Sequence, residues 1–320
     1  MKDDMGRSIN YLRISVTEKC NLKCRYCMPE GTSCGSVSGQ ELSDDQICRI
    51  VEAGADLGIT KLRLTGGEPL LRKNLPELIS RLSRIPGIKE IGLTTNGTLL
   101  ADHAMVLKVA GLQSVNISLD TLDEEKYRRI TGGGSLKSVL EGINAAEKAG
   151  LRPLKLNTVL IGSFNEDEIE DFVELTRYSK IDVRFIELMP MGKTAQWARR
   201  HYISNDFLLN KFKDLQPITG ETANSTACYY QLPGAWGRVG LINPMSHSFC
   251  GSCNRIRLIS DGKLKPCLHG EEEINLMSCI ENTEALAACI EKAIFHKPAQ
   301  HMLHKEGGNP VVREMFRIGG

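Results

Sequence analysis

Cys20, Cys24 and Cys27 stand in the run Cys-Asn-Leu-Lys-Cys-Arg-Tyr-Cys, and three thiolates so closely spaced can hold three irons of a four-iron cluster. A ferredoxin-type cluster would bring a fourth cysteine, so here one iron stays open for chemistry. The next cysteine, Cys34, follows a Pro and Gly turn and joins the set only if that loop folds back. A structural zinc site is the bland alternative, although zinc favours a closed tetrahedral shell and paired Cys-x-x-Cys knuckles. A second trio, Cys250, Cys253 and Cys267, recurs near the other end of the chain. Taken alone it reads equally as zinc, with His247 or His269 completing the shell.

Something must hold these sulfurs and carry the rest of a reaction. The 320 residues are 41% apolar, enough for one large α/β domain with an elaboration. Lys and Arg number 40 against 39 Asp and Glu, so no overall charge draws the chain to nucleic acid or to an anionic membrane. Any anion binding must be local. The first residues lack an apolar signal core, and no stretch approaches the roughly 18 apolar residues of a membrane span. A cytoplasmic location is expected, where eleven cysteines argue for metal or redox chemistry and against a disulfide framework.

Strand-like runs recur at 10–16, 61–65, 91–95, 114–119, 154–160 and 182–188. Helical patterns fill the gaps, near 74–84, 98–110, 135–149 and 165–178, after a first helix that Ser43-Asp44-Asp45-Gln46 opens as a capping box. The alternation predicts βαβ units on a parallel sheet, an incomplete (β/α)6 TIM-type barrel with an appended C-terminal domain, divided 1–189 and 190–320. Parity within the strands sharpens this. One set, including Leu12, Ile14, Leu62, Leu64, Ile117 and Leu156, is apolar and must face the helices. The other carries Arg13, Arg63, Thr94, Asn116, Ser118, Lys155, Asn157 and, on the sixth strand, Glu187. Pointed into the barrel, Arg13, Arg63 and Lys155 suit a polyphosphate, unless Glu187 and Asp120 pair with them. A helical stripe near 284–295 makes Cys289 a core residue, and Cys48 reads likewise. Gly132-Gly133-Gly134 follows a helix and so is not a dinucleotide fingerprint.

The cluster run, with Tyr26 inside it and Gly66-Gly67-Glu68-Pro69 one β/α unit later, resembles the radical S-adenosylmethionine superfamily. Cys253-Asn254-Arg255-Ile256-Arg257-Leu258 followed by Asp261-Gly262-Lys263-Leu264 closely resembles the C-terminal cluster motif of the molybdenum cofactor biosynthesis protein A family, the GTP 3′,8-cyclases. The likeness spans nearly the whole chain, including Thr94-Thr95-Asn96-Gly97, Asn116-Ile117-Ser118-Leu119-Asp120, Phe185-Ile186-Glu187-Leu188-Met189 and the final Gly319-Gly320. Only 32–40 and much of 193–225 match poorly.

That resemblance implies two [4Fe-4S] clusters, one on Cys20, Cys24 and Cys27 and one on Cys250, Cys253 and Cys267. It implies S-adenosylmethionine at Tyr26, Gly67, Ser118 and Met189. GTP then meets Arg13, Arg63, Thr94, Lys155, Arg255 and Arg257, its guanine at the second cluster, and the Gly319-Gly320 tail enters the active site. Arg255 and Arg257 either hold guanine or stabilise a late intermediate. The implied reaction is lyase chemistry: a deoxyadenosyl radical removes hydrogen from ribose C3′, the C3′ radical adds to C8 of guanine, and reduction and protonation give 3′,8-cyclo-7,8-dihydro-GTP. An electron donor such as flavodoxin or ferredoxin is implied, as is a link to the cyclic pyranopterin monophosphate synthase of the next step, and a homodimer is left open. The rivals are a radical enzyme that modifies a peptide and a non-catalytic electron-storage protein.

Overall fold

Ser43 opens the first helix as its sequence requires: its hydroxyl accepts from Gln46 N at 3.2 Å while the Gln46 side chain accepts from Ser43 N at 2.8 Å. In the computed structural model, which describes residues 1–29, 40–218, 225–301, 303 and 313–319, this helix is the first of five crossovers. Cys34 lies outside the described residues, and so does Gly320. The chain runs β1 (Tyr11–Ser15), α1 (Asp44–Asp56), β2 (Lys61–Thr65), α2 (Leu75–Leu82), β3 (Glu90–Thr95), α3 (Leu100–Val109), β4 (Ser114–Ser118), α4 (Glu124–Thr131), α5 (Leu136–Lys148), β5 (Leu154–Leu160), α6 (Ile169–Tyr178) and β6 (Ile181–Glu187). Each of the six strands pairs in parallel with the next in sequence. Repeated crossovers of one hand put every helix on the same side, and the sheet curls as a partial barrel. Asp123 caps α4 through Lys126 N at 2.7 Å, and Gly132 ends it in the left-handed region, so the three glycines do follow a helix.

The apolar parity behaves as expected. Leu12, Ile14, Leu62, Leu64, Ile117 and Leu156 are all buried in one core with Leu78, Ile79, Phe172 and Val173 of the helices. Each such side chain contributes roughly 1.5–3 kcal/mol by leaving water.

The second half of the chain contributes α7 (Ala195–Arg200), α8 (Asp206–Lys211), β7 (Gln216–Pro217), β8 (Ala227–Gln231), β9 (Val239–Ile242), β10 (Arg255–Leu258), β11 (Lys263–Lys265), β12 (Ile274–Asn275) and α9 (Thr283–Phe295). Its strands join both open edges of the half-barrel. β9 pairs in parallel with β6, and β10 pairs in parallel with β1, giving one sheet in the order β12-β11-β10-β1-β2-β3-β4-β5-β6-β9-β8-β7. Exposed edges are thereby covered, and β10 lies directly against the strand that leads to the first cysteine trio. On α9, Leu286, Ile290 and Ala293 are buried and Cys289 packs partly against the same core, as does the buried Cys48. Among the described residues, no helix is long and apolar enough to cross a membrane.

Candidate active site

Parallel pairing without slippage carries inward-facing residues from strand to strand. Arg257, Arg13 and Arg63 stand in register across β10, β1 and β2. Thr94, Asn116, Lys155 and Asp182 continue across β3 to β6, one step from Ser118, Asn157 and Arg184. In-register residues share a face. All of these except Asp182 line a cavity of about 590 Å³ whose walls include all six cysteines of the two trios. Tyr26, Gly67, Ser118 and Met189 line it too, as do Arg13, Arg63, Thr94, Lys155, Arg255 and Arg257.

The first trio is braced by the Gly-Gly-Glu-Pro turn. Gly67 N donates to Thr17 O at 2.8 Å and Glu68 N to Lys19 O at 2.7 Å, so this turn is stitched to the residues just before Cys20. A Cβ on Gly67 would sit 2.3 Å from Lys19 O, which only glycine avoids. Glu68 is fully buried, accepting from Thr95 Oγ1 at 2.6 Å and Asn96 N at 2.7 Å, and burial pushes its carboxyl up to about 7. The Tyr26 hydroxyl donates to Asp120 at 2.7 Å, and burial raises Asp120 to about 6. Burial likewise pushes the Cys24 thiol well up, a cost that a metal ligated by thiolate would offset.

The cations crowd one another. Burial and then Arg257 lower Arg13; burial and then Arg255 bring Arg257 to about 10; burial and then Arg184 bring Lys155 to about 8. Thr94 Oγ1 and Asn116 Oδ1 are buried with no hydrogen-bond partner among the described residues. A wall of crowded cations beside orphaned polar oxygens fits a multiply charged anion bearing hydroxyl groups.

The carboxylates expected as partners are engaged elsewhere. Asp120 holds Tyr26 and Val159 N, and Glu187 accepts from Met245 N at 2.8 Å, Ser246 N at 2.9 Å and Ser246 Oγ at 2.5 Å. Glu187 borders the cavity at the end of β6, yet it shares the parity of Val183 and Phe185, which are core residues, and so corrects the parity of the sixth strand. The inward residue there is Arg184, whose guanidinium donates to Asn157 Oδ1 at 2.9 and 2.5 Å. Ile186 on the inward parity and Glu187 on the other reverse the pattern at the end of β6, which hid Arg184 from sequence reasoning.

The second trio is assembled from two places, Cys250 and Cys253 before β10 and Cys267 after β11. Lys297, only 3% exposed, donates to Arg255 O at 2.8 Å and Pro266 O at 2.6 Å, clamping the two segments together. Burial alone would raise the Cys253 thiol, but Lys297 and Arg255 beside it bring it below its ordinary value. Arg7 donates to Cys250 O at 2.9 Å and to Lys297 O at 2.8 Å. Neither Arg7 nor Lys297 carries a motif that would single it out. His247 instead faces Asp206 at 3.1 Å, whereas His269 lines the cavity. Among the described residues, no three His, Cys, Asp or Glu side chains converge on a point that one metal ion would fill.

The tail arrives at the cations. Gly319 O accepts from Arg13 Nη2 and from Arg257 Nη1, both at 3.2 Å, with φ at +78°. A Cβ there would lie 2.4 Å from Thr65 Oγ1.

Residues 14–176 match the Radical SAM superfamily, and residues 181–303 match Molybdenum Cofactor Synthesis C. The GTP 3′,8-cyclase of Alkaliphilus oremlandii is 52% identical over 321 residues, all of both chains. That of Peptoclostridium acidaminophilum is 51% identical, covering 99% of this chain and 98% of its own. Among solved structures, Streptococcus suis SuiB bound to S-adenosylmethionine superposes with a TM-score of 0.63 at 15% identity, over 85% of this chain and 64% of that one. Native anSMEcpe with bound AdoMet gives 0.56 at 16% identity, over 92% and 82%. These two likenesses speak for the fold, a radical S-adenosylmethionine partial barrel. From its two matched family models and its identity to whole relatives, this chain belongs to the GTP 3′,8-cyclase family of the radical S-adenosylmethionine superfamily, enzymes of S-adenosylmethionine and an iron–sulfur cluster.

Proposed function

We propose that the chain converts GTP to 3′,8-cyclo-7,8-dihydro-GTP, the opening step of molybdenum cofactor synthesis. The observation that carries this reading is the ladder of Arg257, Arg13 and Arg63 on one cavity that both cysteine trios also line. Cys20, Cys24 and Cys27 would hold a first four-iron cluster, and Cys250, Cys253 and Cys267 a second. When bound, the first cluster and S-adenosylmethionine supply a 5′-deoxyadenosyl radical.

The protein's own part is to bind, orient and shield. Gly67 keeps the cavity wall open beside the first trio for a ligand's amino and carboxylate groups, with Tyr26, Ser118 and Met189 around them. Arg13, Arg63, Lys155 and Arg184 neutralise the triphosphate, and the orphaned Thr94 and Asn116 oxygens take ligand hydroxyls. Arg255 and Arg257 face the guanine side, where Gly319 closes the pocket. Residues 1–189 thus supply the radical machinery and the triphosphate cations, and 190–320 the second trio and the guanine side. A cytoplasmic setting with flavodoxin or ferredoxin as electron donor, and the cyclic pyranopterin monophosphate synthase as consumer of the product, completes the reading.

The test is anaerobic reconstitution with iron and sulfide, addition of dithionite, S-adenosylmethionine and GTP, an acid quench and mass spectrometry. 5′-Deoxyadenosine with a cyclised product of GTP mass is expected. Deoxyadenosine without any GTP-derived product would reopen the substrate in favour of a peptide. Neither species from fully iron-loaded protein would overturn the enzyme reading.

A further inference from the structure

Electrons have to reach the first trio from outside, and the surface around its loop is positively charged. That loop is bonded to the end of α4: Lys23 N donates to Thr131 O at 2.8 Å and Arg25 N to Ile130 O at 3.0 Å. Arg128 and Arg129 fill the last turn of α4, the Arg129 guanidinium 5.5 Å from the Phe164 ring centroid. The Arg25 guanidinium stands 5.3 Å from the ring of Trp197 on α7, the helix that Arg200 ends, and Thr194 Oγ1 just before it donates to Tyr26 O at 3.0 Å. Tyr26, Ile130, Phe164 and Trp197 pack in one small apolar cluster, so the loop, the end of α4 and α7 meet on one lip. Lys23, Arg25, Arg128, Arg129 and Arg200 are all exposed there.

We propose that this lip is the docking surface of a small acidic electron carrier, of the flavodoxin or ferredoxin class. The inference rests on reading the chain as an enzyme with a cluster on Cys20, Cys24 and Cys27. The reduced carrier gives up one electron here and the first cluster takes it, with no bond made or broken at the surface.

Charge complementarity carries the proposal. The chain as a whole bears a net charge of only +1, so five cations on one lip are a local excess. Among the described residues, none of the five makes an ion pair. The acids nearby are engaged or set back: Lys126 holds Asp167 at 2.7 Å and Glu168 at 2.9 Å, and Glu124 and Glu125 lie at the opposite end of α4. A one-signed patch steers an oppositely charged partner and speeds encounter by roughly 10- to 1,000-fold at low salt. Its place decides which partner. Arg25 stands between Cys24 and Cys27 in the chain, so a carrier seated on it lies against the loop that holds the first cluster. A nucleic acid would call for a longer basic stripe on a basic domain, which a balanced chain does not offer.

The test compares two reductants on the reconstituted enzyme with S-adenosylmethionine and GTP present. Dithionite needs no docking, whereas an acidic flavodoxin reduced by its reductase does. Arg128→Glu, Arg129→Glu and Arg200→Glu combined should slow flavodoxin-driven 5′-deoxyadenosine formation about tenfold at low salt and leave the dithionite-driven rate unchanged. Added salt should slow the wild type with flavodoxin and leave the variant nearly flat. Calorimetry of oxidised flavodoxin into each protein should show the dissociation constant raised by a similar factor. Arg84→Glu, just past α2, should change neither quantity. Equal flavodoxin-driven rates in wild type and variant overturn the docking surface, and so does an equal fall with both reductants in the Glu set and in a matching Gln set. Wild type that dithionite drives but neither flavodoxin nor ferredoxin drives overturns it too, as does transfer RNA bound more tightly than flavodoxin at the same salt. Because deoxyadenosine is the readout, absence of a GTP-derived product leaves the docking result standing. No deoxyadenosine even with dithionite overturns the enzyme reading and the proposal with it.

Discussion

The two cysteine trios line one cavity but are built in opposite ways. Cys20, Cys24 and Cys27 come from one short loop, braced by backbone bonds from Gly67 and Glu68 to Thr17 and Lys19. Cys250, Cys253 and Cys267 come from two segments that the antiparallel pairing of β10 with β11 brings together and Lys297 clamps through Arg255 O and Pro266 O. The first is a local motif that any sequence carrying it can form. The second needs a hairpin docked on β1 and a clamp from Lys297, just past α9, and the cations on β10 arrive with it. Sulfurs that are alike in sequence are thus set apart by their surroundings.

The largest expected effects test this contrast directly. Cys24→Ala should abolish S-adenosylmethionine cleavage and with it every product. Cys253→Ala should leave cleavage partly intact while no cyclised product forms, as chromatography with mass detection of 5′-deoxyadenosine and the GTP-derived product would tell. Loss of all cleavage in folded Cys253→Ala protein would break the division between the trios.

Next is the clamp. Lys297→Met leaves two buried carbonyls unpaired and should cost about 3 kcal/mol of stability. Iron per chain should fall toward the content of Cys253→Ala, while the first trio keeps its signal in electron paramagnetic resonance. Unchanged iron and melting temperature would make Lys297 a bystander.

A smaller effect sharpens the role of the tail. Gly319→Ala forces a Cβ into Thr65 Oγ1 at a positive φ and should lower cyclised product by about tenfold, since strain of this kind costs of order 1–3 kcal/mol. Deoxyadenosine formed without product should persist. Equal yields from variant and wild type would remove the tail from the active site.

The smallest concerns pH. Lys155 is brought to about 8 by burial and by Arg184, so its charge fades as pH rises through 8 and the KM for GTP should rise several-fold between pH 7 and 9. Lys155→Arg keeps its charge throughout and should flatten that rise. A profile with the wild-type slope would place the titration elsewhere.

Much of the site could be read from the chain because its signals are local. The Cys20 trio, the Gly66-Gly67-Glu68-Pro69 turn and the Ser43 capping box each act within a few residues of sequence. The alternation that set Arg13, Arg63, Thr94 and Lys155 on one face follows from the period of two in a strand. Parity was misread at β6: Asp182 and Arg184 alternate with Ile181, Val183 and Phe185, but Ile186 and Glu187 reverse the pattern at the strand's end, and Arg184 was missed in favour of Glu187.

The sequence by itself determined the local chemistry of this protein: three thiolates in one loop, a glycine turn to brace them, six β/α units, and cations of one parity. Register, spacing and backbone conformation act over short stretches of chain, so the residues suffice. Only the tertiary structure decided what those groups face. The pairing of β10 with β1 joined Arg257 to Arg13 and Arg63, Lys297 clamped the segments of the second trio, and Gly319 came to rest between two arginines. Contacts between residues tens to hundreds of positions apart depend on which sheet edge a late strand covers, and no local pattern encodes that choice.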